Sequence, residues 1–337
     1  MPELRRNPLT DTWVIIAPER QYRPSEQECR PHTEPSRCPF CPGHESMATS
    51  ALLTMPDQKG GWKLRVVPNR YPALRVEEAD SGTTVGVHDQ RGGLGAHEVI
   101  IDSASHDEPV TVEESAALHA RSLVAAAERM RDLSGDLRLR YHLYFRNVGA
   151  DAGSTLVHPH AQLLSMAILP PAVRRELERN RDHHDRTGRL LMGDMLRDEL
   201  TRGSGIVHED ADFIVFCPWA SRRPFETWVA PRRHPGSFAR TSSSSIGDFG
   251  SMIGQTAMAL RLALPGVGWN LSLHLSGAQH EDPLWWWHAR LVPTVGIPGA
   301  LESATGVFIN AEDPSNAADY LRRTWGRDAS AHPLAAQ

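Results

Sequence analysis

Apolar residues recur along the chain with two periods, and the periods alternate in a fixed order. "GWKLRVVPNRYPAL" and "GAHEVIIDSASH" carry the dense Val, Ile and Leu patterning of strands; a turn follows the first, and a loop bearing His106 ends the second. "TVEESAALHARSLVAAAERMRDL" switches to a spacing of three and four, which predicts an amphipathic helix. Thr111 is its N-cap and Glu114 completes a capping box. "LRYHLYFRNVG" and "GSTLVHPHAQLL" return to strand patterning, with Gly149 and Gly153 marking the turn between them.

That order then repeats. "FETWVAPRRHPGSFART" reads as a strand and a loop with His234, "SSIGDFGSMIGQTAMALRLAL" as a helix, and "GWNLSLHLSG" and "LWWWHARLVP" as two returning strands. The repeat is longer than the roughly 20–50 residues of solenoid units, so it is a duplicated domain. The predicted class is α+β, with two mainly antiparallel sheets flanked by helices. Residues 1–170 form the first unit and 206–330 the second. The polar helical stretch 171–205 connects them.

The 337 residues are 40% hydrophobic and 23% charged, as in an ordinary soluble protein. No apolar run approaches the roughly 18–20 residues of a membrane span, and "MPELRRNPLTDTW" lacks the apolar stretch of a secretory signal. The expected location is cytoplasmic. A net charge of −5 disfavours a nucleic-acid surface. Lysine occurs only at Lys59 and Lys63, so the arginine bias is compositional and gives no single arginine weight.

Two short stretches carry candidate chemistry. "CPFC" places the Cys38 and Cys41 thiols within reach of one ion, which suits zinc, with a redox dithiol as the competing reading. It lies within residues 20–45, a proline-rich polar segment with little apolar surface to fix it, where a metal clip makes physical sense. "HPHAQ" sets His158, His160 and Gln162 on one strand face, with Pro159 confining the strand to an edge or irregular position. That face is either a polar strand surface or a site in which one histidine holds metal while the next attacks phosphorus. The "WWW" run at 285–287 and Cys217 read as core, "DHHD" at 182–185 as a solvated helix face, and Cys29 lies outside the CPFC pair.

Six stretches in order resemble the galactose-1-phosphate uridylyltransferase family, a branch of the histidine-triad superfamily. They are "NPLTDTWVIIAPERQYRP", "CPFCPG", "VVPNRYPAL", "HEVIIDSASH", "RNVGADAGSTLVHPHAQL" and "CPWASRRPFETWVAP". The resemblance implies a duplicated histidine-triad-like fold and nucleotidyl exchange between a nucleotide sugar and a sugar 1-phosphate, by ping-pong through a nucleotidyl-His160. Gln162 would hold the phosphoryl oxygens and Thr155 would contact phosphate, on the Gly153–Ser154–Thr155 turn. Asn69 and Asn147 match nucleoside-binding positions, and Arg20 and Arg23 match phosphate contacts. Cys38, Cys41, His106 and His158 match the ligands of a structural zinc. A homodimer is the family expectation.

Two departures qualify the resemblance. A second metal site of some members matches at Glu176, His274 and His288, but the fourth position is Arg290, which cannot ligate a metal. That site is expected to be empty, with Arg290 paired to Glu176. Phe308, Ile309 and Asn310 stand where well-known members place hydroxyl-binding groups, which is closer to a divergent branch that includes ADP-glucose phosphorylases. A phosphorylase using inorganic phosphate is therefore the alternative, and a non-catalytic nucleotide-binding protein is the rival from another class.

Overall fold

The computed structural model describes residues 3–16, 34–58, 60–278, 281–296 and 298–329. Its first half contains β1 (Glu3–Arg6), β2 (Trp13–Ile16), β3 (Leu53–Pro56), β4 (Trp62–Pro68), the hairpin β5 (Gly82–Val85) and β6 (His88–Arg91), and β7 (Gly95–Ile101). Helix α1 (Val112–Leu133), β8 (Tyr141–Val148) and β9 (His160–Met166) complete it. Helices α2 (Pro171–Thr187) and α3 (Leu191–Arg202) follow. The second half has β10 (Ile206–Glu209), β11 (Phe213–Phe216), β12 (Thr227–Pro231), α4 (Ser243–Ala263), β13 (Trp269–His274) and β14 (His288–Pro293). The C-terminal elements are α5 (Ala300–Thr305), β15 (Phe308–Asn310) and α6 (Pro314–Thr324).

The α1 boundary follows from its cap. Thr111 Oγ1 accepts from the Glu114 N–H at 3.1 Å, and Glu114 Oε2 accepts from the Thr111 N–H at 3.2 Å. Two of the orphan donors at the helix start are thereby satisfied.

The two expected antiparallel sheets are joined edge to edge. β8 pairs with β13, from Val148 opposite Trp269 to Phe145 opposite Ser272, and makes one ten-stranded antiparallel sheet. Read outward from this seam, the strands run β8-β9-β7-β4-β3 on one side and β13-β14-β12-β11-β10 on the other. In each half the long helix connects the third strand outward to the seam strand, so the duplication appears as a matched pair about the seam. β15 pairs parallel with β2, which ties the two ends of the chain together.

Alternation assigns the two faces of the sheet. Ile100, Ala161 and Leu163 point to the main core under α1 and α4, with Leu271, Ala289 and Leu291 from the second half. Val99 and Ile101 point the other way, into a small cluster with Trp62, Val67 and Phe40. Because Val99 stands opposite Gln162 and Ile101 opposite His160, these two polar residues share that second face. The second half fills the same face with Ile214, Phe216, Trp228 and Trp286 against α3. The Trp run is core as expected, with Trp285 and Trp287 on one side of the sheet and Trp286 on the other.

Two details differ from the sequence reading. β9 begins at His160, so His158 lies just outside the strand, though its ring still meets Phe40, as that of His160 does. β9 is also interior, between β7 and β8. Pro159 is accommodated because it precedes the strand, where its carbonyl still accepts from the Asp102 N–H at 3.1 Å. Cys217 is buried one residue beyond the end of β11.

α1 and α4 cross at two glycines. A Cβ on Gly250 would stand 2.7 Å from Ala120 Cα, and one on Gly254 would stand 2.4 Å from the Ser115 carbonyl oxygen. The helices cannot hold this separation with a side chain present. Gly254→Ala is expected to destabilise the fold by about 1–3 kcal/mol through overpacking, read as a lower midpoint in denaturant titration.

Candidate active site

Three segments converge on the second face of the sheet: the CPFC knuckle, the loop after β7 and the start of β9. Their donor atoms form one cluster. One ligand atom from each of Cys38, Cys41, His106 and His158 lies within 4.8 Å of all the others. Cys41 Sγ is 3.3 Å from His106 Nδ1 and 3.6 Å from His158 Nδ1. A tetrahedral zinc, with bonds of about 2.3 Å to sulfur and 2.0 Å to nitrogen, spaces its ligand atoms about 3.3–3.8 Å apart, so the group fits. His158 Nε2 donates to the Ser103 carbonyl at 2.8 Å, which leaves Nδ1 bare toward the cluster. Burial, and then Cys38, push the Cys41 thiol up to about 11, so a bound cation is what would stabilise its thiolate.

His160 is turned differently. Its Nδ1 lies 2.8 Å from the His158 carbonyl oxygen, which can only accept, so Nδ1 carries the proton and Nε2 is the bare nitrogen. Burial lowers its pKa, and the buried Arg146 cation adds to this against the opposing backbone bond. The ring is therefore neutral near pH 7. Among the described residues no hydrogen bond engages Nε2. Phe40, between the two cysteines, packs edge-on against the His160 ring at 5.4 Å and the His158 ring at 6.0 Å. Chemically, such a neutral imidazole is a competent nucleophile.

Gln162 follows on the same face, and its Oε1 lies 2.8 Å from His97 Nε2. Asn69 joins this group, with Nδ2 3.2 Å from the same His97 nitrogen. Asn147 is anchored across the seam, its Oδ1 accepting from Asn270 Nδ2 at 2.9 Å. Gly153 takes a left-handed conformation (φ 88°) and turns the chain into Ser154 and Thr155. A cavity of about 380 Å³ is lined by Asn147, Ser154, Thr155, His158 and His160. The structure thus brings together Asn69 with Gln162, and His160 with Asn147, Ser154 and Thr155. Arg20, Arg23 and Cys29 lie outside the described residues.

Sequence reasoning missed the support beneath the site. Arg146 on β8 is fully buried, ion-paired with Asp102, and donates from Nη2 to Glu108 at 2.8 and 3.0 Å. Both carboxylates flank the loop that carries His106, so Arg146 pins that ligand loop to the strand beside β9. Burial works against the Arg146 charge, but Glu108 and Asp102 outweigh it and hold its pKa above the usual range. An arginine inside the apolar strand "YHLYFRNV" was the available signal, because buried arginines are almost always paired.

The second half repeats the strand with a different partner at the ring. His288 Nδ1 lies 2.9 Å from the Trp286 carbonyl, the same i to i+2 tie that His160 makes. Its Nε2, however, accepts from Arg290 Nε at 3.0 Å, and Arg290 Nη2 also donates to Glu176 at 3.1 and 3.0 Å. The expected Arg290–Glu176 pair is present, with His274 stacked on His288 at 5.0 Å.

The relatives of this chain are uridylyltransferases and a phosphorylase, and with them it is a nucleotidyltransferase-type enzyme. A profile described as "Galactose-1-phosphate uridyl transferase, N-terminal domain" matches residues 1–170. The chain belongs to the galactose-1-phosphate uridyl transferase family. It is 29% identical over 330 residues to an ADP-glucose phosphorylase of Arabidopsis thaliana, covering 95% of this chain and 92% of that one. It is 25% identical over 337 residues to a galactose-1-phosphate uridylyltransferase of Thermotoga maritima, covering 96% and 99%. The crystal structure of the Arabidopsis thaliana ADP-glucose phosphorylase with bound ADP-glucose superposes with a TM-score of 0.80 at 26% identity, over 96% of this chain and 98% of that one.

Arg146→Met would leave Asp102 buried without its cation. The expected cost is roughly 3–5 kcal/mol, as for other broken buried pairs, measured by urea unfolding. Exposed pairs such as Arg232–Glu209 should contribute under about 1 kcal/mol in the same assay.

Proposed function

We propose that the protein transfers a nucleoside monophosphate by double displacement through His160. Nε2 attacks the α-phosphorus of a nucleotide sugar, a P–N bond forms, and the P–O bond to the departing sugar 1-phosphate breaks. A second acceptor then takes the nucleotide from the imidazole. The observation that carries this reading is the tie from His160 Nδ1 to the His158 carbonyl, which leaves Nε2 unprotonated without a second side chain acting as base.

Gln162 would donate its amide to a phosphoryl oxygen as charge moves onto it, and Thr155 and the Gly153–Ser154 backbone would contact the phosphates. Asn69 and Asn147 would bind the nucleoside, and Arg20 and Arg23 would contact phosphate. Zinc would be held by Cys38, Cys41, His106 and His158 and would order the knuckle that bears Phe40. A shell of four protein ligands is closed, so its contribution would be structural. Metal binding worth about 10–16 kcal/mol in zinc-finger peptides is ample beside a typical domain stability of about 5–15 kcal/mol.

The acceptor divides two readings: a sugar 1-phosphate, as in a uridylyltransferase, or inorganic phosphate, as in a phosphorylase. The likeness to the ADP-glucose phosphorylase favours the second for this chain. So does the C-terminal segment. Phe308 packs against Val14 and Ala220, and Asn310 Nδ2 donates to the Ser221 carbonyl at 2.9 Å, so both side chains are used for packing. A homodimer belongs to the same reading.

Incubation with α-phosphorus-labelled ADP-glucose or UDP-glucose should leave label on the protein, and intact-mass spectrometry should give the mass of the attached nucleotide. His160→Ala is expected to abolish labelling with the fold intact, and a variant turning over normally would refute the mechanism. Adding phosphate or galactose 1-phosphate to the labelled protein should discharge it with one acceptor and not the other. Exhaustive chelation should lower the melting temperature and release about one zinc per chain.

A further inference from the structure

We propose that His97 is a positioning residue: its Nε2–H holds Gln162 Oε1 and so decides which end of the amide meets the phosphoryl group. The proposal rests on the reading of Gln162 given above. A glutamine amide has two ends of nearly equal size, and a half-turn exchanges a donor for an acceptor. Only the NH2 end can stabilise charge on a phosphoryl oxygen. The other end would repel it.

The register places His97 to make this choice. Val99 stands opposite Gln162, and His97 lies two residues earlier on β7, on the same face and diagonal to the amide. Its Nδ1 is 3.1 Å from the Ala73 backbone nitrogen, which can only donate. Nδ1 is therefore the bare nitrogen and the ring proton sits on Nε2. Nε2 has two near neighbours, Gln162 Oε1 at 2.8 Å and Asn69 Nδ2 at 3.2 Å. The Asn69 amide is oriented independently, because its Oδ1 accepts from the Tyr71 N–H at 2.9 Å, so it turns a donor toward His97. Two donors cannot bond, and the shorter contact, to Gln162, is the hydrogen bond.

The turn at residues 69–73 thus dictates the tautomer of His97, and that tautomer dictates the facing of Gln162. Among the described residues no other hydrogen bond reaches the Gln162 side chain. Without His97 the amide is free to turn its oxygen toward the substrate.

The test is single-turnover labelling of His160 from α-phosphorus-labelled ADP-glucose and UDP-glucose. It compares the wild type with Gln162→Ala, His97→Ala, His97→Gln and the double variant. Gln162→Ala should slow labelling about 10²–10³-fold, as for loss of one preorganised donor. His97→Ala should slow it roughly 10–100-fold with KM little changed, and His97→Gln, whose amide can still donate, should recover part of the rate. The double variant should be no slower than Gln162→Ala alone, because His97 acts only through Gln162. Multiplicative losses in the double variant, or a wild-type rate for His97→Ala beside a slow Gln162→Ala, would overturn the proposal alone. A wild-type rate for Gln162→Ala would overturn the role of Gln162, and that of His97 with it.

Discussion

One hydrogen bond, from His160 Nδ1 to the carbonyl two residues back, turns the two histidines of a three-residue segment to present different ring nitrogens. It commits the His160 proton to Nδ1 and leaves Nε2 bare. His158 is committed the opposite way by Ser103, whose carbonyl takes Nε2–H and leaves Nδ1 for the thiols. Neighbouring imidazoles thus present opposite nitrogens without any difference in side-chain type. Pro159 between them has no N–H, so it adds no competing donor at this crowded point.

The remaining architecture keeps those two orientations in place. Phe40 links the knuckle to both rings by edge-on contacts. Behind the strand, Arg146 binds the loop after β7 through Asp102 and Glu108, and that loop supplies both His106 and the Ser103 carbonyl. A buried cation with two carboxylate partners is costly to assemble and more costly to break, which suits a device that must not drift.

The duplicated half shows the same strand with its ring nitrogen occupied. His288 keeps the backbone tie of His160, yet an arginine stands at the position equivalent to Gln162. Its guanidinium covers the free nitrogen, neutralises Glu176 and stacks over Trp228 at 4.2 Å. What serves as a polar site in one half is an internal ion pair in the other. The same sheet geometry therefore leaves the ring nitrogen open in one half and covers it in the other, according to one side chain.

The sequence by itself determined the elements, because each is a local matter of period and cap: the α1 capping box, the β7 and β8 strands and the Gly149–Gly153 turn could all be read directly. The family resemblance also named the four sulfur and nitrogen donors that the fold gathers into one cluster. Only the tertiary structure decided that β8 and β13 fuse the two sheets, because strand edges carry no sequence label for their partner. It alone placed β9 in the interior and began it after Pro159, whose carbonyl accepts from the Asp102 N–H. It alone revealed Arg146 and His97, whose partners lie tens of residues away, since a hydrogen bond between distant segments exists only once the chain has brought them within 3 Å.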